Sequence, residues 1–297
     1  MASHGILLVD KPGGLTSHDV VARVRRACGT RKVGHAGTLD PMATGLLVIG
    51  IEGATRLLTY IVGADKTYLA TIRLGARTTT DDAEGDITET ADAAAWAAVD
   101  DASVRDGIRR LTGAISQVPS SVSAIKVAGR RAYDLVRAGE SVELAPREVS
   151  VSRFEVLAER PSDGFVDLDV IVDCSSGTYI RALARDLGDM LGVGGHLTML
   201  RRTRVGGFDV DGAVGVDGLE GAPTLTPAEA AARVMPVLPV TAEEARDLRH
   251  GKRLVGQRQR LTAAEVAALD PDGVLVGIVE ARDRDIKSVM NMPEVQA

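Results

Sequence analysis

The stretch Gly34-His35-Ala36-Gly37-Thr38-Leu39-Asp40-Pro41-Met42-Ala43-Thr44-Gly45-Leu46-Leu47 sets a single carboxylate in a loop punctuated by glycine and proline, and the loop runs directly into an apolar strand. Glycines at 34, 37 and 45 admit a positive φ or the close approach of another backbone, and Pro41 biases Asp40 toward extended conformations. Such a loop is built to hold a shape. An isolated Asp-Pro pair is ordinarily a turn in which the Asp side chain bonds its own backbone, so the meaning of Asp40 depends on its surroundings.

Upstream of the loop, Ile6 to Val9 is a short apolar strand closed by the turn Asp10-Lys11-Pro12-Gly13-Gly14. A helix follows, with Ser17 as its cap, Val20, Val21, Val24, Ala27 and Cys28 at helical spacing, and Gly29 as its stop. Its other side carries Arg23, Arg25 and Arg26, which with Arg31 and Lys32 form either a solvated face or part of an RNA-facing surface. Downstream, Leu46 to Ile51 reads as a buried strand, Ala54 to Ile61 as a short helix and Lys66 to Leu74 as a strand carrying Tyr68. Taken alone, Tyr68 is an ordinary strand aromatic.

Asp92 to Thr112 is Ala-rich and helical, and a second distinctive stretch runs from Gln117 through Ser120, Val122 and Lys126 to Gly129, Arg130 and Arg131. Three cations around a Gly turn suit phosphate contact as well as a solvated face. Apolar residues alternate with acids over Val166 to Cys174, a strand with one core face. The helix after it has Ile180, Leu183, Leu187 and Leu191 as its stripe, Ser175 and Ser176 as caps and an end near Gly192. Arg181 sits off that stripe in the first turn, where a cation opposes the helix dipole and invites a partner anion. Leu200, Arg201 and Arg202 follow in the stretch Leu197 to Thr203.

A chain of 297 residues can bury one large core with a smaller domain beside it, and a net charge of −6 is not that of a generally basic nucleic-acid binder. The charge is uneven: Asp81, Asp82, Glu84, Asp86, Glu89 and Asp92 form an acidic stretch, and cations gather elsewhere. Two cysteines, no leader pattern and no apolar run of the ~20 residues that cross a bilayer lead us to expect a soluble, cytoplasmic protein without membrane partners. The five histidines lack metal-ligand spacing and no nucleotide-binding glycine motif occurs, so neither metal nor cofactor is expected.

Separate motifs resemble those of the TruB family of tRNA pseudouridine synthases. The Asp40 loop matches G-x-L-D-P-x-A-[ST]-G-L-L, Lys66 to Tyr68 matches K-x-Y, and Cys174 to Arg181 matches C-S-x-G-T-Y-I-R residue for residue. The stretch from Gln117 follows Q-x-P-P-x-[YF]-S-A-x-K except that Ser120 and Val122 replace the second Pro and the aromatic. The resemblance covers Lys11 to about Phe208. It implies that Asp40 is the catalytic carboxylate, that Arg181 pairs with it, and that Tyr68 packs on the target base. It also implies that Leu200 lines the base pocket and that His35 props the space vacated in the RNA loop. Lys126, Arg130 and Arg131, together with Arg201 and Arg202 in a stretch that resembles the family's L-R-R segment, are the cations expected to contact the substrate.

The implied fold is α+β: a pseudouridine synthase fold with a mixed, mainly antiparallel sheet and flanking helices over 1–236, and a small PUA-like β-rich RNA-binding domain over 237–297. Arg246, Arg249, Lys252, Arg253, Arg258 and Arg260 give that last segment local positive charge suited to positioning phosphates. The implied activity is isomerisation of uridine 55 in the T stem-loop of tRNA, by a monomer that needs no guide RNA. Asp40 could attack C1′, abstract a sugar proton or add to C6, and the residues do not choose among these routes. A tRNA-binding or tRNA-folding protein without chemistry would share the basic surfaces but would not need Asp40, Tyr68 and Arg181 together. A glycosidase would ordinarily need a second acid, and none stands in a comparable motif.

Overall fold

A computed structural model of the chain describes residues 4–120, 126–127, 130–131, 144–162 and 164–293. The chain divides into two compact units, one made of Met1–Pro41, Gly45–Ala64 and Arg204–Ala297, the other of Met42–Thr44 and Asp65–Thr203.

The first unit starts with β1 (Gly5–Lys11), β2 (Val33–Ala36) and β3 (Thr44–Ile51). β3 takes β1 antiparallel on one edge, with Val9 opposite Leu47, and β2 antiparallel on the other, with His35 opposite Ile49. Side chains alternate between the faces of a strand, and both faces here are apolar. Leu7, Val9, Leu47, Ile49 and Ile51 pack on helix α1 (Ser17–Ala27) through Val20, Val21 and Val24, while Ile6, Leu8, Leu46 and Val48 share a second core with Leu57 and Ile61. The cap of α1 is Thr16 rather than the expected Ser17: its side chain accepts from the Asp19 N–H, and the Asp19 carboxylate accepts from the Thr16 N–H in return. An acid at the third helical position makes this reciprocal pair available one residue earlier. The short helix expected over Ala54 to Ile61 is a 3₁₀ segment, Glu52–Leu57, continued by α2 (Leu58–Val62).

The second unit comprises β4 (Lys66–Leu74), β5 (Ala76–Thr78), β6 (Ile87–Thr90), α3 (Ala93–Trp96), α4 (Asp101–Arg110), β7 (Gly113–Gln117), β8 (Lys126–Val127), β9 (Arg130–Arg131), β10 (Arg147–Ser162), β11 (Phe165–Cys174), α5 (Ile180–Leu191) and β12 (Gly195–Val205). Its strands run in the order β12-β4-β11-β10-β7, and each neighbouring pair among β4, β11, β10 and β7 is antiparallel. The single helical stretch expected over Asp92 to Thr112 is two helices, because Asp92 and Asp100 each cap a new start. The serine pair does not cap α5. Its N-cap is Tyr179, whose N–H donates to Gln117 Oε1 at 2.8 Å and whose carbonyl accepts from Gln117 Nε2 at 3.0 Å. Ser175 instead accepts from the Ser150 N–H at 2.9 Å. α5 ends at Gly192 in the left-handed region, φ +73°. It lies so close to the turn before β12 that a Cβ at Gly188 would stand 2.1 Å from the Gly194 carbonyl carbon.

The chain then returns to the first unit with β13 (Phe208–Asp209), β14 (Val214–Gly215), α6 (Pro227–Ala232), β15 (Val237–Pro239), α7 (Ala242–Arg249), β16 (Glu265–Leu269), β17 (Leu275–Arg282) and β18 (Asp285–Asn291). β14 joins β1 in parallel, which makes that sheet mixed. The order β15-β16-β17-β18 forms a separate four-stranded sheet with a core shared by Leu248 of α7, Val266, Val276 and Ile286. Ala267, Leu275 and Ile278 add to the core that holds Ile6 and Leu46. The strand expected over Val274 to Val279 starts one residue later and runs on to Arg282. The architecture is α+β with a mixed, mainly antiparallel sheet and a β-rich C-terminal segment, as the resemblance implies.

Candidate active site

In the first unit the loop around Asp40 is fixed through the backbone on both sides of the carboxylate. Lys11 ends β1 with its side chain fully buried, and its ammonium donates to the carbonyls of Pro12 at 2.9 Å, Leu15 at 2.7 Å and Pro41 at 3.2 Å. Gly14 N–H also donates to the Pro41 carbonyl, at 2.8 Å. Ser17, buried in the first turn of α1, accepts from the Leu39 N–H at 2.9 Å and donates to its carbonyl at 3.2 Å. Leu39 and Ala43 are buried and Asp40 half-buried. Gly37 and Gly45 have φ of +89° and +99°, the conformations for which glycine is needed. His35 on β2 meets His18 of α1 edge to face, ring centroids 5.6 Å apart. The clamping roles of Lys11 and Ser17 are absent from the sequence reading. The available signal was a lysine at the end of an otherwise apolar strand.

In the second unit, Tyr68 lies on β4 opposite Val172 and is buried. Arg181 is not on an outer face of α5, as the helical stripe suggests; it is buried. Its Nη1 lies 3.3 Å from Asp82 Oδ2 and donates to the Thr80 carbonyl at 2.9 Å, and the two paired side chains are only 5% and 3% exposed. One turn further, Arg185 stands 3.2 Å from Asp81 and donates to the Val118 carbonyl at 2.7 Å. The loop carrying both acids is tightly wound: Asp81 has φ +61°, and Asp82 accepts from Thr80 Oγ1 at 2.5 Å and the Glu84 N–H at 3.1 Å. Ser120, fully buried, donates to Asp81 at 2.6 Å.

Within this unit Asp82, a member of the acidic Asp81 to Asp92 stretch, supplies one anion to Arg181. A buried Arg–carboxylate pair of this kind survives desolvation only when its remaining hydrogen-bonding capacity is also met, and the Thr80 and Glu84 contacts contribute to that. Two arginines four residues apart on one helix, matched to two adjacent aspartates, is the pattern that could have shown it.

Leu200 is buried on β12 and Arg201 is half-buried, its Nη1 3.5 Å from Thr44 Oγ1. Arg202, expected at the RNA surface, is 1% exposed. Strand alternation explains this, since Arg202 shares a face with Leu200 and not with Arg201. Burial and the nearby Arg202 cation bring the Lys66 ammonium down to about 8, and burial pushes the thiol of its cross-strand neighbour Cys174 up to about 11. The side chains of Lys126, Arg130 and Arg131, and all of Val122, lie outside the described residues.

The C-terminal cations are largely spent on local acids: Arg249 on Asp270 and Lys252 on Asp247, both at 2.8 Å or less, Arg260 on Glu244 at 2.7 Å and Arg253 on Asp285 at 3.6 Å. Among the described residues no group of three His, Cys, Asp or Glu could hold a metal ion, and no helix is long and apolar enough to cross a membrane.

The fold is that of a pseudouridine synthase. A chain in the crystal structure of a Cbf5-Nop10-Gar1 complex is similar at a TM-score of 0.71, with 24% identity, over 98% of this chain and 84% of that one. The model of the TruB family pseudouridylate synthase N-terminal domain matches residues 25–180. The tRNA pseudouridylate synthase B C-terminal domain matches 181–239, and the tRNA pseudouridine synthase II C-terminal domain matches 235–293. The chain is 60% identical to tRNA pseudouridine synthase B of Leifsonia xyli subsp. xyli over 99% of this chain and 98% of that one. It is 55% identical to the protein of the same name from Mycobacterium sp. strain KMS, over 96% and 95%. The chain belongs to the TruB family and is a pseudouridine synthase.

Proposed function

We propose that this pseudouridine synthase acts on tRNA and isomerises uridine 55 of the T loop, with Asp40 as the carboxylate that starts the reaction. The bond between uracil N1 and ribose C1′ breaks, the base turns, and a C5–C1′ bond forms. C5 gives up its proton and N1 takes one, so nothing is oxidised and no cofactor is consumed. The observation that carries the assignment of Asp40 is the way its loop is held. Lys11 and Ser17 bond the backbone on either side of it, which sets the position of the residue that carries the carboxylate. A reacting group held in one geometry gains rate over a mobile one.

The matched motifs support Tyr68 as the residue against the target base and Arg181 as the guanidinium that orients the carboxylate. They likewise support His35 and Leu200 as contacts of the RNA loop and base. Lys126, Arg130, Arg131 and Arg201 remain candidates for phosphate contact. The buried Arg202 fits a supporting place behind Leu200 better. A stacked uridine cannot be reached in its loop, so the base is extruded into the site. In this reading residues 237–297 are the RNA-binding module, and the protein works as a monomer in the cytoplasm without a guide RNA.

The test is to incubate unmodified tRNA with the purified protein alone and map pseudouridine at nucleotide resolution. Pseudouridine at position 55 is expected. Modification only elsewhere, or only after another RNA is added, overturns the assignment.

A further inference from the structure

We propose that the end of the first unit formed by the last turn of α1 and the start of β2 is a phosphate-binding surface for the RNA strand flanking the target uridine, with Arg26, Arg31 and Lys32 as its cations. This rests on the reading that the substrate is tRNA. Arg26, Arg31 and Lys32 are all exposed. Among the described residues none of the three has an acid within ion-pair distance, in contrast to the C-terminal cations, which are paired with Asp270, Asp247, Glu244 and Asp285.

Two of the neighbouring charged groups are engaged elsewhere. The Glu52 carboxylate accepts from the Thr30 hydroxyl. Arg25 donates to the Val33 carbonyl at 3.1 Å. Arg23 meets Asp217 only at 3.9 Å, beside a shallow groove that Arg26 and Glu220 also line. A cation in the last turn of a helix is accounted for by the helix dipole, which explains Arg26 in part. It does not explain Arg31 and Lys32, which lie beyond the helix end in a chain whose net charge is −6.

The geometry ties this end to the candidate active site. α1 starts at Ser17, which bonds Leu39, and its eleven residues carry the chain about 16 Å to the cationic end. β2 returns from Val33 to Ala36, about 13 Å, and delivers the chain through Gly37 into the Asp40 loop. Two independent elements thus hold the cations at a fixed distance of about 13–16 Å from the loop within one unit. A nucleic-acid strand with one nucleotide at Asp40 would pass its neighbouring phosphates across such a spacing.

The experiment compares salt-dependent binding of a T-arm RNA hairpin by the unmodified protein, by the triple variant Arg26→Gln, Arg31→Gln, Lys32→Gln, and by the triple variant Arg246→Gln, Lys252→Gln, Arg253→Gln. The first variant is expected to bind about tenfold or more weakly at physiological salt, and its log–log salt slope is expected to be shallower by roughly 2 to 3. The C-terminal variant should lose less slope than the first, because its cations already face Glu243, Asp247 and Asp285. Thermal melts check that both fold, and Arg31→Gln with Lys32→Gln, outside the helix, serves if the triple variant does not. An unchanged slope in the first variant, or a loss confined to the C-terminal one, overturns the inference. Because the slope is read on binding alone, it is separable from the substrate reading, whose failure would show as no pseudouridine formed by the unmodified protein.

Discussion

In the first unit Asp40 is positioned through its neighbours: Lys11 and Ser17 bond the carbonyls and N–H of Pro41 and Leu39. In the second unit Arg181 is positioned through its own guanidinium, which is buried against Asp82 and the Thr80 carbonyl. The first arrangement anchors the loop through backbone bonds that do not themselves involve the Asp40 side chain. The second merges scaffold and functional side chain, since the contacts that orient the guanidinium also satisfy a buried carboxylate. Substitutions at the two positions should therefore fail in different ways, and this difference can be measured.

The largest effect is expected for Asp40→Asn, which keeps the shape of the side chain and removes the nucleophile or base. Single-turnover pseudouridine formation should fall by roughly 10⁴-fold or more, with tRNA affinity within a few fold and the melting temperature nearly unchanged. Substantial isomerisation by rigorously purified variant would remove Asp40 from its role. Next comes Arg181→Lys, where a mobile point charge replaces a planar two-pronged donor. Turnover should drop by about 10²-fold or more while the protein folds and binds tRNA. Arg181→Met should also destabilise the fold, by about 3–5 kcal/mol, because Asp82 is then left buried without its cation. If Arg181→Met proves as stable as Asp40→Asn in urea, the contrast between the two units is wrong.

Lys11→Met tests the first unit from the scaffold side. It removes the donor to three carbonyls in a fully buried position, and the cost should be about 2–4 kcal/mol in a denaturant titration. With Asp40 intact but its loop loosened, turnover should fall by roughly 10-fold or more. A stable variant with normal turnover would mean that Ser17, Gly14, the loop glycines and Pro41 hold the loop without Lys11.

The parts legible in the sequence were those set by local rules. The strands Lys66–Leu74 and Phe165–Cys174 follow from β-rich composition and alternation, and the left-handed glycines of the Asp40 loop from residue type. What escaped depends on distance or on a one-residue choice. Asp82 and Arg181 are about a hundred residues apart, and no periodicity links an acidic loop to a helix that the fold later lays over it. Thr16 and Ser17 are both competent caps, and the reciprocal bond with Asp19 decides between them. The positive charge of the C-terminal segment was visible in the sequence, but its pairing with Asp247, Asp270 and Glu244 appears only when α7 meets its strands and the 3₁₀ turn at Arg258–Arg260.

The smallest effect sharpens the picture of a second unit that tolerates buried charge. The Lys66 ammonium stands at about 8 in the folded protein against an ordinary 10.5, through burial first and the Arg202 cation second. Between those values the unfolded chain binds more protons than the folded one, so stability rises with pH across that window. The Cys174 thiol beside it stands at about 11 against an ordinary 9.0, through burial. Between those values the folded protein binds more protons, and stability falls. The two contributions oppose each other above pH 9, so the net rise is confined to about pH 8 to 9 and amounts to roughly 1 kcal/mol. Denaturant midpoints across this range should show the rise followed by a plateau. Lys66→Met should abolish the rise and leave the fall above pH 9, and Cys174→Ala should extend the rise toward pH 10.5, the ordinary lysine value. A midpoint that already declines between pH 8 and 9 in the unmodified protein would mean that Lys66 keeps its proton to higher pH, held by a partner strong enough to offset its burial.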